Sequence, residues 1–269
     1  MITLSKVDIQ KQARRHHEAE QQRKQISPVT HTFPDMTIAD AYEIQSEWMK
    51  LKLEEGRSVV GHKIGLTSKV MQRAMSIDEP DFGTLLDDMV FENGSKIAVD
   101  QFLDPRIEVE LAFYLKKELS GSELTIEEVF EATEYVVPAL ELIAARSFRV
   151  DPQTGYKRTV KDTISDNAAN AGIILGDTKI DPKEIDLRWI SALLYKNDVV
   201  ELSGVSAAVL DHPANGITWL ARRYADYNRI LKAGQIILAG SFTSALKVSA
   251  GDHIEADFNE FGLIECSFT

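Results

Sequence analysis

Residues 107–115 (IEVELAFYL) combine the alternation of a β-strand with two acidic residues on one face. Because side chains at positions i and i+2 of a strand point to the same side, Glu108 and Glu110 point together, and apolar residues line the other side. A third acid, Glu141, lies in PALELIAAR, an apolar stretch that also predicts a buried strand. An unpaired buried carboxylate is costly, so three of them in apolar surroundings need compensation.

A hard divalent cation is one way to compensate these carboxylates. A ligand set made only of oxygen favours Mg²⁺, Mn²⁺ or Ca²⁺ over zinc or copper, and an octahedral Mg²⁺ or Mn²⁺ would leave positions open for water or substrate. The alternative is that Glu108 and Glu110 form the solvated face of an edge strand, while Glu141 pairs with Arg146 or Arg106. The strand pattern alone leaves both interpretations open.

The N-terminal part of the chain is predicted to be helical. Residues 5–25 are almost all polar or charged, which predicts a solvated helix or a partner-dependent arm rather than a part of the core. Thr37 precedes Asp40 by three residues in a weak capping-box arrangement, and an amphipathic pattern continues from there to Gly56. We therefore expect a helical arm and cap over residues 1–58.

From residue 59 onward, short apolar runs separated by glycines predict strands, with helices inserted near Thr125 and Pro213. A hairpin is expected to turn at residues 196–198, and the last two apolar runs predict a pair of C-terminal strands. Strands and helices do not alternate regularly, so the sequence predicts an α+β fold with a mixed or antiparallel β core. We assign residues 59–269 to a catalytic domain built on that core, with inserted helices.

The charge balance narrows the classes of partner. The chain has 30 basic and 42 acidic residues and a net charge of −12, so no broad positive field would attract nucleic acid or an anionic membrane. No apolar run is long enough to span a bilayer, and the N-terminus lacks the apolar segment of a signal peptide. Cys266 is the only cysteine, which excludes an intrachain disulfide and makes the cytoplasm the expected location.

A second group of candidate residues surrounds Lys63 in GHKIGLTSK. Lys63 lies among apolar residues and close to Gly61 and Gly65, which permit close backbone approach. A desolvated lysine has a lowered pKa, so Lys63 is a candidate acid, base or anion clamp, unless its stem carries the charge out to solvent. Asp81, in EPDFG, is either a turn residue or a general acid or base near the carboxylates.

Polar residues elsewhere supply further candidates. Residues 148–163 (FRVDPQTGYKRTVKDT) predict a surface loop, and a lid over a site is one interpretation of it. The hydroxyl groups of Ser165 and Ser241 lie beside apolar strands, where they either bind a carboxylate or carbonyl oxygen or act as caps and turns. His62, next to Lys63, is the histidine that we retain as a candidate site residue.

Several motifs occur in a fixed order: GHKIGLTSK, EPDFGTLLDDM, PRIEVELAF, PALELI, DTISDNAANAG, HPANG and GQIILAGSFT. In this order and at these separations, they resemble the hydratase/decarboxylase branch of the fumarylacetoacetate hydrolase superfamily, over about residues 10–269. The resemblance implies a mixed β roll or distorted barrel with a smaller helical N-terminal part. It also implies a homo-oligomer, either a ring of five subunits or stacked rings of ten.

The resemblance also implies roles for the residues already singled out. Glu108, Glu110 and Glu141 match the metal triad of the family, which would hold Mg²⁺, with Mn²⁺ as the second choice. Lys63 and Asp81 match the proposed acid/base pair.

The implied activity is that of a metal-dependent hydratase in the catabolism of homoprotocatechuate and 4-hydroxyphenylacetate. From 2-hydroxyhepta-2,4-diene-1,7-dioate it would form 2-oxohept-3-ene-1,7-dioate and add water to give 4-hydroxy-2-oxoheptane-1,7-dioate. The alternatives are a 2-oxo-3-enedioate decarboxylase of the 4-oxalocrotonate type and, from another class, a catalytically silent binding or assembly subunit. The candidates for binding the rest of this small dicarboxylate are His62, Leu86, Arg146, Ser165 and Ser241.

Overall fold

The structure is a computed structural model that describes residues 1–227 and 229–269. It begins with three helices: α1 (Lys6–Gln22), α2 (Val29–Thr32) and α3 (Ile38–Glu54). Thr37 caps α3 through the predicted capping box with Asp40, and Gly56 follows the helix with a φ of 92°. The predicted amphipathic helix is therefore confirmed.

The expectation that residues 5–25 are solvated is wrong for one face of α1. Ile9 and Ala13 share an apolar cluster with side chains of α3, and His16 is fully buried, with its ring centroid 5.6 Å from that of Trp48. These positions are spaced three or four residues apart and form a narrow stripe along the helix. Composition alone hides such a stripe because the other sides of the helix remain polar.

The larger sheet has eight strands: β1 (Val59–Gly65), β2 (Asp81–Leu86), β3 (Val90–Phe91), β5 (Arg106–Leu115), β6 (Thr133–Ile143), β7 (Asn170–Leu175), β10 (Ile236–Leu238) and β11 (Leu246–Lys247). The strand order is β2-β1-β10-β5-β6-β7-β3, and β11 also pairs with β5. The β1–β10 and β3–β7 pairs are parallel, whereas the other pairs are antiparallel. The sheet is therefore mixed.

The smaller sheet has five strands: β4 (Ser95–Ile97), β8 (Ser191–Lys196), β9 (Val199–Val205), β12 (His253–Asp257) and β13 (Leu263–Phe268). Their order is β4-β13-β12-β8-β9. The β8–β9 hairpin turns at Asn197 and Asp198, whose φ values of 53° and 66° match the left-handed conformation of a tight two-residue turn. The predicted hairpin and the predicted C-terminal strand pair are both confirmed.

Four further helices complete the list of α-helices in the described residues: α4 (Lys69–Ala74), α5 (Ile126–Ala132), α6 (Val160–Ser165) and α7 (Pro213–Ala225). The helices predicted near Thr125 and Pro213 are confirmed, with Thr125 capping α5. The loop predicted over residues 148–163 is only partly correct, because α6 begins inside it. Asp162 explains the difference, since its carboxylate accepts a hydrogen bond of 2.8 Å from the Thr159 N–H and so caps this short helix.

The two faces of β5 separate the main core from the candidate site. The core face carries four fully buried apolar side chains: Ile107, Val109, Leu111 and Phe113. The opposite face carries Glu108, Glu110 and Ala112, and Ala112 packs in a separate small cluster with side chains of β6 and β10. The α+β class with mixed sheets is confirmed. Among the described residues, no helix combines the length and the apolar character that crossing a membrane requires.

Candidate active site

Three glutamates meet on the face of the larger sheet that points away from the main core. Glu108 on β5 lies directly opposite Glu141 on β6, and Glu110 is two residues further along β5 on the same side. One carboxylate oxygen from each lies within 4.8 Å of the others. Since β5 lies between β10 and β6, the interpretation of Glu108 and Glu110 as an edge-strand face is wrong.

The charges of this cluster are only partly compensated. Glu110 accepts a hydrogen bond of 2.9 Å from the Gly240 N–H, and Lys63 Nζ lies 3.3 Å from Glu141 Oε1 without hydrogen-bond geometry. Within residues 1–227 and 229–269, neither carboxylate oxygen of Glu141 receives a hydrogen bond, although the side chain is fully buried. Such oxygens need another positive partner.

The pKa values show the same imbalance. Burial raises the pKa of Glu141 to about 7 and that of Glu110 well above its usual range, and repulsion from a neighbouring glutamate adds to the rise in each case. Burial also raises the pKa of Glu108. An all-oxygen donor set with unpaired, closely spaced carboxylates fits a hard divalent cation, which would favour the charged form of all three groups.

Lys63 and Asp81 reach the same face from β1 and β2. Gly65 on β1 pairs with Asp81 on β2, and a Cβ atom at Gly65 would lie 2.3 Å from Asp81 Oδ1 and 3.0 Å from Lys63 Nζ. Glycine at this position therefore allows the two side chains to approach each other above the strand. Asp81 is almost fully buried, and no described residue donates a hydrogen bond to its Oδ1.

The predicted lowering of the Lys63 pKa is wrong. Burial alone would lower the pKa of this lysine, but the negative charges of Glu141, Asp81 and the other two glutamates outweigh burial and raise the pKa above its usual value. Burial raises the pKa of Asp81. The structure therefore gives a lysine that keeps its proton next to a carboxyl group that binds a proton more readily than usual.

Two of the predicted substrate-binding residues lie away from this cluster. His62 points to the opposite side of β1 from Lys63, where Tyr224 Oη lies 2.9 Å from its Nδ1 and burial lowers its pKa to about 3. Leu86 is fully buried in the apolar cluster of the N-terminal helices. The structure therefore does not bring either side chain to the three glutamates.

Arg146 and Ser165 are also engaged inside the protein. Arg146 donates from Nε to Asp166 Oδ1 (2.5 Å), from Nη2 to the Asp166 carbonyl oxygen (2.7 Å) and from Nη1 to the Asn170 carbonyl oxygen (3.0 Å). The Ser165 hydroxyl donates to the Lys161 carbonyl oxygen of its own helix. Both side chains are buried, and the structure shows them bound to neighbouring groups of the protein and not directed at the three glutamates. The guanidinium group of Arg146 instead donates hydrogen bonds to the Asp166 carboxylate and to two backbone carbonyl oxygens.

Replacing Arg146 with leucine (Arg146→Leu) is expected to lower the free energy of unfolding by about 3–5 kcal/mol, because it leaves the Asp166 carboxylate buried without its main partner. Urea unfolding measures this change. Arg188→Leu is the matched control, since Arg188 forms an exposed pair with Asp186 and its loss should change stability little. Equal effects of the two substitutions would show that the Arg146 pair is not a major stabilising contact.

Ser241 lies next to the site, but its hydroxyl group donates to the carbonyl oxygens of Val109 and Thr243. The preceding residue, Gly240, was not among the candidate site residues, although its N–H donates a hydrogen bond to Glu110. Gly240 has a φ of 122°, and a Cβ atom there would lie 2.4 Å from Thr67. A glycine two residues after a buried strand was the available sign of such a close approach.

Residues 54–269 match the family described as fumarylacetoacetate (FAA) hydrolase C-terminal. The chain belongs to this family, as the motifs predicted, and the predicted mixed β roll with a helical N-terminal part is confirmed.

Similarity to individual relatives indicates the branch of the family to which the chain belongs. The chain is 56% identical over 256 residues to the 2-oxo-hept-4-ene-1,7-dioate hydratase of Escherichia coli, covering 95% of this chain and 96% of the relative. It is 38% identical over 252 residues to the 2-keto-4-pentenoate hydratase of Paraburkholderia xenovorans, covering 94% and 91%. A solved structure of 4-oxalocrotonate decarboxylase from Pseudomonas putida G7, complexed with magnesium and adipate, has a TM-score of 0.94 at 31% identity and covers both chains completely.

Proposed function

We propose that the chain is a Mg²⁺-dependent hydratase that acts on 2-hydroxyhepta-2,4-diene-1,7-dioate and adds water to its keto form, 2-oxohept-3-ene-1,7-dioate. The observation that carries the proposal is the cluster of three glutamates with Lys63 and Asp81 on one face of the larger sheet. The name of the E. coli relative, a hydratase of a seven-carbon 2-oxo-ene-dioate, supports both the reaction and the substrate class.

The relative's name places the double bond between C4 and C5, whereas the predicted substrate has it between C3 and C4. Both compounds are keto forms of the same dienol: a proton added at C3 gives the 4-ene, and a proton added at C5 gives the 3-ene. The 3-ene is conjugated with the C2 ketone, so water adds at C4 and a proton at C3. The product, 4-hydroxy-2-oxoheptane-1,7-dioate, differs from the dienol by one water.

Glu108, Glu110 and Glu141 would hold the cation, and their oxygen ligands favour Mg²⁺, with Mn²⁺ as the second choice. The structure of the P. putida relative with magnesium supports this assignment. When bound, the cation supplies Lewis-acid polarisation of the 2-oxo acid group of the substrate. The half-buried position of Glu108, next to the two fully buried glutamates, leaves this side of the cluster as the approach for substrate.

Lys63 and Asp81 are assigned to the proton transfers. The ammonium group of Lys63 stays charged, so it attracts the negative charge that develops on the substrate and can donate a proton to it. The carboxyl group of Asp81, with its raised pKa, can take up and release a proton closer to neutral pH than an exposed aspartate can. The two groups lie side by side above Gly65, so one substrate can reach both.

A decarboxylase is the second candidate, and the TM-score of 0.94 to 4-oxalocrotonate decarboxylase is the observation that favours it. The identity to that structure is 31%, compared with 56% to the E. coli hydratase. The same polarised 2-oxo group would accept the electrons released by loss of CO₂. The two reactions therefore differ in their product rather than in the residues that we assign.

The test is an assay on 2-hydroxyhepta-2,4-diene-1,7-dioate with Mg²⁺ and with EDTA, followed by ultraviolet absorbance and by the mass of the product. A hydratase gives a product that is heavier by one water, and only with the cation. A product that is lighter by one CO₂ would establish the decarboxylase. Full turnover in EDTA would contradict the metal assignment, and no turnover in either condition would leave a silent binding subunit.

Metal removal is expected to destabilise the protein more at about pH 8 than at about pH 6. Because burial raises the pKa of Glu141 from 4.5 to about 7, the folded state holds a proton that the unfolded state has already released. In EDTA, the free energy of unfolding should therefore fall as the pH rises from about 4.5 through 7. Thermal unfolding with EDTA and with Mg²⁺ at both pH values measures this, and an equal loss of Tm at both would contradict it.

We also propose that the chain assembles with copies of itself into a ring of five or stacked rings of ten in the cytoplasm. Exposed apolar side chains on or next to the smaller sheet support an interface: Trp189, Leu193, Val199 and Leu263. Light scattering measures the number of subunits, and a monomer at working concentration would contradict the assembly.

A further inference from the structure

Two arginines face each other on a small hairpin beside the active site. Arg158 donates its backbone N–H to the Arg149 carbonyl oxygen (3.1 Å), and Val150 forms an antiparallel bridge with Lys157. In this register, Arg149 and Arg158 lie opposite each other, and their side chains share one face of the hairpin. Val150 and Lys157 are exposed on the other face, whereas the Arg149 and Arg158 side chains are 27% and 8% exposed.

Both guanidinium groups keep hydrogen-bond donors without acceptors. Arg149 donates from Nε to Asp104 Oδ2 (2.6 Å), but its buried Nη2 has no acceptor among the described residues. The buried Nη1 of Arg158 likewise has none, and its distance to Asp166 Oδ2 is 3.7 Å. Asp166 already accepts two hydrogen bonds from Arg146.

Two like charges directly opposite each other in a hairpin destabilise it, and Asp104 and Asp166 compensate this pair only in part, because both carboxylates also bind other basic side chains. Burial, followed by repulsion from Arg149, lowers the pKa of Arg158 to about 10, and the negative charges of Asp166 and Asp162 offset only part of this shift. The hairpin is nevertheless anchored, because Tyr156 Oη donates to Thr30 Oγ1 (3.1 Å) and its ring stacks on His31. A rigid pair of free guanidinium donors is the arrangement that binds a carboxylate.

Two chains of contacts connect this pair of arginines to the strands that carry the glutamate cluster and Asp81. Arg149 is linked through Asp104 to Arg106, which lies on β5 two residues before Glu108. Arg158 lies beside Asp166, next to Asn167, whose side chain hydrogen-bonds both backbone groups of Thr84 on β2, the strand that begins with Asp81. Burial raises the pKa of Glu108 and of Asp81, and the positive charges of Arg149 and Arg158, respectively, offset part of that rise, which agrees with this placement.

We propose that Arg149 and Arg158 bind the distal carboxylate of the substrate and so select a dicarboxylate over a monocarboxylate 2-oxo acid. The inference rests on the proposed function, because it takes the 2-oxo acid end of the substrate to lie at the three glutamates. The Arg149–Arg158 pair takes the place of Arg146 as the source of positive charge for the distal carboxylate, because the donors of Arg146 bind groups in the core.

The test compares substrates with and without the distal carboxylate. Wild type, Arg158→Gln, Arg149→Gln and the exposed control Arg188→Gln are assayed with Mg²⁺ on 2-hydroxyhepta-2,4-diene-1,7-dioate and on 2-hydroxypenta-2,4-dienoate. Arg158→Gln should lower kcat/KM for the dioate by about 10²-fold, mainly through KM, and change kcat/KM for the five-carbon acid little. Arg188→Gln should change neither value.

Inhibition by adipate and by hexanoate gives the same comparison without turnover of the short substrate. Arg158→Gln should weaken inhibition by adipate to the level of hexanoate, and Arg158→Lys should restore part of the difference. Equal losses for both substrates and both inhibitors, or no loss for either, would overturn the assignment. If Arg158→Gln does not fold, Arg149→Gln and Arg158→Lys carry the same comparison.

Failure of the proposed hydratase function would give a different result from failure of the arginine assignment. Wild type would then leave the dienedioate unchanged, while thermal shifts with adipate and hexanoate would still report whether the two arginines distinguish a dicarboxylate from a monocarboxylate.

Discussion

Replacing Glu141 with glutamine (Glu141→Gln) is expected to lower kcat for the seven-carbon dienedioate by about 10³-fold or more, because a neutral amide cannot replace a carboxylate among three ligands of a divalent cation. The affinity for Mg²⁺ or Mn²⁺, measured by calorimetry, should fall together with kcat. Glu141 is the informative member of the cluster, since it is fully buried and neither of its oxygens receives a hydrogen bond within the described part of the chain.

The same substitution should not unfold the protein. In EDTA at about pH 8, Glu141→Gln should be at least as stable as wild type, because it removes a buried negative charge that repels Glu108. Glu265→Gln is the matched control: Glu265 belongs to a second, more exposed group with His253 and Glu255, and its loss should leave kcat unchanged. Normal turnover and normal metal affinity in Glu141→Gln would show that the glutamate cluster does not bind the cation that the reaction requires.

Replacing Lys63 with methionine (Lys63→Met) is expected to lower kcat by about 10²- to 10⁴-fold while the enzyme still binds its cation. Lys63 lies 3.3 Å from Glu141 but is not a possible metal ligand while it stays protonated, so its role is separable from that of the glutamates. Steady-state kinetics and metal calorimetry on the same preparation measure the two quantities.

Lys116→Met, at an exposed position just after β5, is the control for loss of a positive charge. If Lys63→Met raised only KM, Lys63 would bind the substrate anion and would not move a proton. If the variant also lost the cation, the lysine would act by holding Glu141 in place.

Alternation along a strand correctly predicted which two glutamates share a face of the sheet. Glu108 and Glu110 share a face because the strand has a period of two, and the apolar run around Glu141 predicted a buried strand, although only the structure shows that this strand pairs with β5. These inferences depend on local geometry alone. The same is true of Thr37 and Thr125, whose caps set the starts of α3 and α5.

Inferences that depend on partners distant in the sequence were less successful. Arg146 was predicted to reach substrate, but Asp166 and Asn170, about 20 residues away, accept its hydrogen bonds. The pKa of Lys63 was predicted to fall with burial, yet it rises because four carboxylates from three other strands surround it. The residues around a buried charge come from the whole fold, so the local sequence cannot give the sign of its pKa shift.

Arg149 and Arg158 illustrate the same limit in a loop. They are separated by eight residues that contain a proline and a glycine, and neither residue belongs to a periodic pattern. Their pairing appears only when the turn brings the two backbone segments together. The polar character of the segment was correctly predicted, but its contribution to charge at the active site required the structure.

The location of a bound cation in a crystal decides whether the three glutamates form the metal site. A crystal grown with Mn²⁺ should show an anomalous difference peak between the carboxylates of Glu108, Glu110 and Glu141. A peak at His253, Glu255 and Glu265 in its place would contradict the assignment of Glu108, Glu110 and Glu141 as the metal ligands. The absence of a peak at these three glutamates in an enzyme that is active with Mn²⁺ would contradict it as well.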